Sequence, residues 1–371
     1  MGLLRFIYAL AVVIIHTTPI LGFTLLSRDL AVWSFFVISG FYMGLILNEK
    51  YTGKNSSFFL FLSNRFLRIY PVYFVSLLLT VGVLLILFVF HLQNPLSEYL
   101  SIHTTIVSRI WDTLRNITLL IAPEYFYEPK TYPGFLLLSQ AWTLQLELLF
   151  YFFAPFLLRK KWYYVLFVLL LVLVFDYKFL FPMKLFSGQS LVYRFFANVP
   201  FFLMGGVSYK LYSGLSKIKF KEKTLSVIFI IFLFITFSYN YLHINIPLVS
   251  PRHHTDWLYY VGLLIVIPFV FSYTKKNRFD RFIGELSYPA YIIHTLIITL
   301  TVALFPGISN SAVYPLVVIV ATMVVSILLA LFVDRKVDGW RQKRLRLSPK
   351  KKNQFYGFFP KLPLKKRGES D

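Results

Sequence analysis

Ten apolar runs, each of roughly 18 to 25 residues, follow one another along this chain at about 3–23, 30–48, 69–90, 134–158, 162–182, 193–212, 224–242, 256–273, 281–305 and 311–333. A helix rises about 1.5 Å per residue, so each run is long enough to cross about 30 Å of hydrocarbon. No soluble core could hide this much apolar surface. Charged residues make up 15% of the chain, well below the roughly 25% of soluble domains. In lipid every backbone polar group must be satisfied within the protein, which leaves helices or closed barrels, and these runs lack the two-residue alternation of barrel strands. The sequence therefore predicts an all-α, polytopic membrane helix bundle of about ten transmembrane helices.

The net charge of +22 invites a nucleic-acid partner. The basic residues, however, lie in connections between apolar runs and in the tail, not on one folded face, so no nucleic acid is expected. With the N-terminus placed in the cytoplasm, all but eight of the 38 Lys and Arg residues fall on the cytoplasmic side, as the positive-inside rule requires. Both termini are thus expected in the cytoplasm, in a multi-pass protein of the inner (plasma) membrane that contacts its lipids throughout. The first run is too long for a cleaved signal peptide, contains His16 and lacks a small-residue cleavage site. Within the longest outer connection, about 92–133, Ile102, Ile106, Ile110, Leu114 and Ile117 repeat at helical spacing, which predicts either an interfacial helix on the outer surface or a segment dipping into the membrane to roof a cavity. Residues 335–371 mix Lys and Arg with Pro and Gly and read as a basic, disordered cytoplasmic tail near anionic headgroups. That leaves 1–334 as the membrane domain. The absence of cysteine excludes disulfides and thiolate chemistry.

Ionisable and polar groups inside membrane helices are costly and therefore nominate function. Arg5 and His16 are eleven residues apart, which places them on one helix face about 16 Å apart along the axis. A cation at the mouth and an imidazole at depth suit a long anionic ligand reaching inward; a snorkelling Arg and a structurally bonded His explain the pair equally well. Arg65 and Arg68 share a helix face and could grip phosphates, or simply anchor the helix at the cytoplasmic interface. Gln140, Thr143 and Glu147 form a polar stripe on the fourth run, as do Ser287, Tyr291 and His294 on the ninth. Ser39-Gly40 reads as a close-packing point between helices. His253-His254 has no third ligand at a recognisable spacing, so no metal site is expected.

In this order the segments resemble the acyltransferase-3 family of integral membrane proteins. The resemblance rests on Arg5 and His16, the Phe35–Phe41 run FFVISGF, Arg65-x-x-Arg68-I-Y-P, Trp142-T-L-Q-L-Glu147, Arg194 with the following Pro200–Gly205 stretch, and Ser287-Tyr288-P-A-Tyr291-I-I-His294, and covers about 3–333. It implies transfer of an acyl group, most often acetyl from acetyl-CoA as donor substrate, to a carbohydrate or lipid-linked glycan at the cell envelope, such as lipopolysaccharide or another polysaccharide. No permanently bound cofactor is implied. The resemblance assigns His16 as catalytic residue, either general base or acyl carrier, and Arg5, Arg65 and Arg68 as donor contacts. Glu147 is a candidate for orienting the imidazole, and Trp142, Arg194, Tyr291 and His294 for binding substrate. Some relatives carry an added C-terminal esterase-like domain, which this chain does not show; it would act alone or pass its acyl group to a separate periplasmic or extracellular protein. The alternative is a transporter or flippase for a glycan or lipid-linked sugar. The enzyme reading expects the inner-rim arginines and the His16 ring to line one passage.

Overall fold

Each of the ten apolar runs coils into a helix. The structure, a computed structural model, describes residues 1–20, 22–53, 57–92, 106–119, 136–180, 191–241 and 256–346. In chain order the helices are α1 (Gly2–Ile15), α2 (Arg28–Glu49), α3 (Phe58–Val89), α4 (Ile106–Thr118), α5 (Trp142–Leu158), α6 (Trp162–Phe175), α7 (Leu191–Leu215), α8 (Glu222–Ser238), α9 (Trp257–Thr274), α10 (Arg278–Leu304), α11 (Tyr314–Leu329) and α12 (Arg335–Arg346). No strand occurs among the described residues. Side chains mark three helix starts by accepting orphan backbone N–H groups: Ser27 from Leu30, Ser57 from Leu60, and Asn277 from Phe279 and Asp280.

Among the described residues, seven helices are long and apolar enough to cross a membrane: α2, α3, α5 with its preceding turn, α8 with its following turn, α9, α10, and α11 continued into α12. The chain is an all-α, multi-pass membrane protein. Helix α1 has only 14 residues, about 21 Å of rise. It lies inside the bundle against α10, with Leu4, Tyr8, Ala9 and Val13 fully buried.

Burial separates centre from rim. Of the most apolar stretch of each helix, 78% is buried in α2 and 67% in α10, against 22% in α8. Large apolar side chains such as Leu78, Phe156, Phe234 and Val320 point outward. In water such a belt would be an aggregation surface; in a bilayer it meets its solvent. At the centre, glycines allow backbone contact. A Cβ on Gly40 would stand 1.9 Å from the Phe202 carbonyl oxygen, and one on Gly205 would stand 2.0 Å from that of Val37, so α2 and α7 touch main chain to main chain. Gly2 and Gly284 do the same for α1 and α10.

The amphipathic helix expected in the long connection is present as α4. Ile106, Ile110, Leu114 and Ile117 face outward, while Asp112, Arg115 and Asn116 are buried against the bundle. Tyr73 donates to the Asn116 carbonyl at 2.6 Å, Tyr70 to that of Thr118, and the Leu137 N–H to the Asn116 Oδ1. Residues 93–105 and 120–135 of that connection lie outside the described residues.

The tail departs from expectation. Residues 335–346 are helical and continue α11 through a widened turn at Ala330–Asp334. The physical reason is tertiary: Arg344 donates to Asn64 and Ser63 on α3, and Arg341 and Gln342 both donate to Asp338. Residues 347–371 lie outside the described part.

Candidate active site

The N-terminus of α1 is pinned by Asp280, whose carboxylate accepts from the Gly2 N–H at 2.8 Å and the Leu3 N–H at 2.9 Å. With Gly2 pressed on Gly284, this fixes where Arg5 emerges one turn later. Arg5 opens into a cavity of about 570 Å³ between α1, α2, α3, α5, α10 and α12, a size usual for small-molecule sites.

One end of the cavity is basic. Arg5, Lys50, Arg65, Arg68, Lys275 and Arg281 line it, with Arg341 beneath them on α12. Arg68 is engaged by Asp334 at 3.1 Å. Arg65 is 9% exposed, its guanidinium stacks on Phe61 at 6.0 Å, and its Nε has no hydrogen-bond partner. Arg5 has no ion-pair partner among the described residues. Burying guanidinium charge without a carboxylate is costly; Glu49, Asp280, Glu285 and Asp338 line the same cavity, but none forms an ion pair with Arg5 or Arg65 among the described residues.

In the middle, Glu147 on α5 accepts from Ser39 on α2 at 2.5 Å and from Tyr151 at 2.6 Å, both on Oε1. The far end is aromatic and uncharged, formed by Val32, Phe35, Phe36, Thr143, Leu144 and Tyr291. Tyr291 is held by Thr143 at 3.1 Å and donates to the Gln140 carbonyl, and its ring lies 5.8 Å from that of Phe35. Gln140 in turn donates to the Ile292 carbonyl and accepts from Thr295. The polar stripe of α5 thus has two jobs: Gln140 and Thr143 lock α10, and Glu147 reaches α2.

Beyond Tyr291 stand two imidazoles. His294 is fully buried, 6.1 Å from the Tyr291 ring and 5.1 Å from the ring of His16, centroid to centroid. His16 closes α1 and is exposed. Its Nδ1 lies 2.8 Å from the Val12 carbonyl oxygen, and Nδ1 of His294 lies 2.8 Å from that of Tyr291. A carbonyl only accepts, so each Nδ1 carries a hydrogen, and in the neutral imidazole the lone pair is then on Nε2. The His294 Nε2 is buried with no partner.

A matching family model, described as an acyltransferase domain, covers residues 1–331. The chain belongs to the acyltransferase-3 family. It is a membrane acyltransferase, and nothing in that membership favours the transporter reading. No curated protein and no solved structure matches it.

In this acyltransferase the cavity brings together Arg5, Arg65, Arg68, Glu147 and Tyr291. Neither His16 nor His294 lines it, so the expected single passage does not form; His294 stands 6.1 Å from the ring of Tyr291, which does line it. Glu147 does not orient the imidazole, because its carboxylate is turned to Ser39 and Tyr151. Trp142 and Arg194 are not on the cavity either. They pair with each other, the guanidinium 5.8 Å above the indole. Sequence reasoning missed Ser39 as a partner of Glu147; a hydroxyl beside a packing glycine was the available signal. It also missed Arg341 and Gln342, hidden in a segment that reads as tail.

Proposed function

We propose that this acyltransferase takes an acetyl group from acetyl-CoA bound in the cavity and transfers it to a hydroxyl of a cell-envelope carbohydrate, with His16 as the catalytic residue. The observation that carries the reading is the guanidinium charge of Arg5 and Arg65, without a carboxylate partner among the described residues, gathered with Arg68 at one end of a cavity whose other end abuts the histidine pair. Three phosphate groups give coenzyme A the charge that such an end calls for, and bidentate guanidinium contacts suit phosphate. The pantetheine arm then runs past Ser39 and Glu147 toward the uncharged aromatic end, which suits a small neutral acyl group.

The positive-inside pattern puts the basic end on the cytoplasmic side of the inner membrane, where the donor is made. His16 then faces the outer side, where the acceptor arrives. Its Nε2 lone pair takes the proton of the acceptor hydroxyl as that oxygen attacks the thioester carbonyl. The carbon–sulfur bond breaks, and the same proton passes to the departing thiolate, giving ester and free coenzyme A. The lone pair is also the one that an acyl-histidine route would use. Either route requires Phe35 and Tyr291 to part so that the thioester reaches the imidazoles.

The test is transfer of radiolabelled acetyl from acetyl-CoA to envelope glycan by the protein in nanodiscs. Labelled glycan with wild type and none with His16→Ala supports the proposal. Undiminished transfer by a folded His16→Ala variant removes His16 from the mechanism, and glycan that gains no label from wild type removes the donor–acceptor pair.

A further inference from the structure

Helix α12 begins at Arg335, beyond residue 331 where the family domain ends, yet it forms part of the cavity wall through Asp338, Arg341 and Gln342. It is anchored on α3 by Arg344, which donates to Asn64 and Ser63 at 3.3 and 3.0 Å. Arg341 is 8% exposed, and its Nε is buried with no hydrogen-bond partner. Nη1 is held by Asp338 at 3.0 Å, and Gln342 donates to the other oxygen of that carboxylate at 2.6 Å. The charges of Arg65 and Arg68 act on the Arg341 guanidinium with the same sign. A third cation has therefore been packed beside two others, with part of its donor fork unused. Asp338 answers part of the Arg341 charge and Asp334 that of Arg68, which leaves Arg65 and the Arg341 Nε, without a partner among the described residues, to meet a further anion.

The order of cations along the cavity says which anion. Arg68 meets Asp334, and Arg341 sits seven residues farther along the same helical stretch, about 10 Å toward the basic mouth. From the aromatic end outward the ligand would meet Glu147, then Arg68 and Arg65, then Arg341. Coenzyme A presents groups in a matching sequence: thioester, pantetheine, diphosphate, then the ribose with its 3′-phosphate. We propose that Arg341 binds the 3′-phosphate of the donor, so that the helix beyond the family domain selects coenzyme A over dephospho-coenzyme A. This rests on the donor reading above and adds a residue and a selectivity to it. Asp338 holds the guanidinium in place while the site is empty and competes with the phosphate for it.

The experiment is calorimetric titration of the full-length protein in nanodiscs with coenzyme A and with dephospho-coenzyme A. Wild type should favour coenzyme A about tenfold to a hundredfold, the range for one charged hydrogen-bonded contact. Arg341→Gln should erase that preference by weakening coenzyme A alone, whereas Arg65→Gln should weaken both ligands. Asp338→Asn should tighten coenzyme A and leave the dephospho form unchanged. Arg341→Gln that keeps the wild-type preference, or weakens both ligands equally, overturns the assignment. If thermal unfolding shows that Arg341→Gln does not fold, the decision passes to Asp338→Asn, and failure of that variant to tighten coenzyme A overturns it. Wild type that binds both ligands equally sinks the role of Arg341 only. Wild type that binds neither sinks the donor reading beneath it.

Discussion

His16 sits where a helix stops, its Nδ1 hydrogen directed at the Val12 carbonyl, and on the proposed function its Nε2 does the chemistry. His16→Ala should therefore lower acetyl transfer by about a hundredfold to ten-thousandfold, the range for a lost general base, while coenzyme A affinity measured by calorimetry stays as in wild type. A matching loss of donor affinity would place the imidazole in the binding site rather than at the chemistry. Arg65 belongs to the other half of the separation: Arg65→Gln should weaken coenzyme A about tenfold to a hundredfold and flatten the dependence of binding on salt, because a phosphate contact has gone. The Arg5–His16 spacing and the Arg65–Arg68 pair were legible in the sequence because both are intrahelical, and 100° per residue fixes which groups share a face. The link from Glu147 to Ser39, 108 positions away, was not legible, since no local rule says which helices become neighbours. The same limit explains why a proposed partnership of Glu147 with His16 gave way to a hydroxyl.

At its aromatic end the cavity is lined by side chains of α2 and α10 that meet ring to ring. Phe35 comes from one helix and Tyr291 from the other, and Tyr291 is latched by Thr143 and Gln140 of α5. Phe35→Ala should open this end to water and raise acceptor-independent release of coenzyme A from acetyl-CoA. A thiol-reactive dye reads that release without background, because the chain has no cysteine. Unchanged release would mean that Phe35 does not restrain passage. Behind these residues, α2 is held against α7 through Gly40 and Gly205. Gly40→Ala places a methyl group 1.9 Å from a carbonyl oxygen, so the helices must separate, and stability should fall by roughly 2 kcal/mol or more, read as a lower unfolding temperature in detergent. The ten helical runs and the amphipathic α4 were readable from hydrophobic periodicity alone. Helix α12 was not, because its composition is that of a solvated tail and its order comes from Asn64, Ser63 and Asp338, contacts that composition does not record.

At the scale of the whole molecule, charge, cavity and chemistry have to point the same way across the bilayer. The connection between α7 and α8 carries Lys217, Lys219 and Lys221, and the one between α9 and α10 carries Lys275 and Lys276 with Arg278 opening α10, whereas residues 305–313 between α10 and α11 contain no Lys or Arg. Translocation leaves basic connections behind in the cytoplasm. The rule predicts the first two inside and the third outside, and on the proposed function Lys275 and Arg281 then mark the basic end of the cavity as the side that holds acetyl-CoA. A protein without cysteine allows this to be checked with single replacements at exposed sites. Ser309→Cys, between α10 and α11, should react with a membrane-impermeant maleimide on intact spheroplasts. Ser216→Cys, in the connection after α7, should react only once the membrane is permeabilised. The reverse pattern would put the arginines on the face away from the cytoplasmic donor and the exposed His16 on the face toward it. The order of donor, acyl passage and acceptor across the membrane would then be inverted, and coenzyme A would have no route to the guanidiniums from the compartment that supplies it.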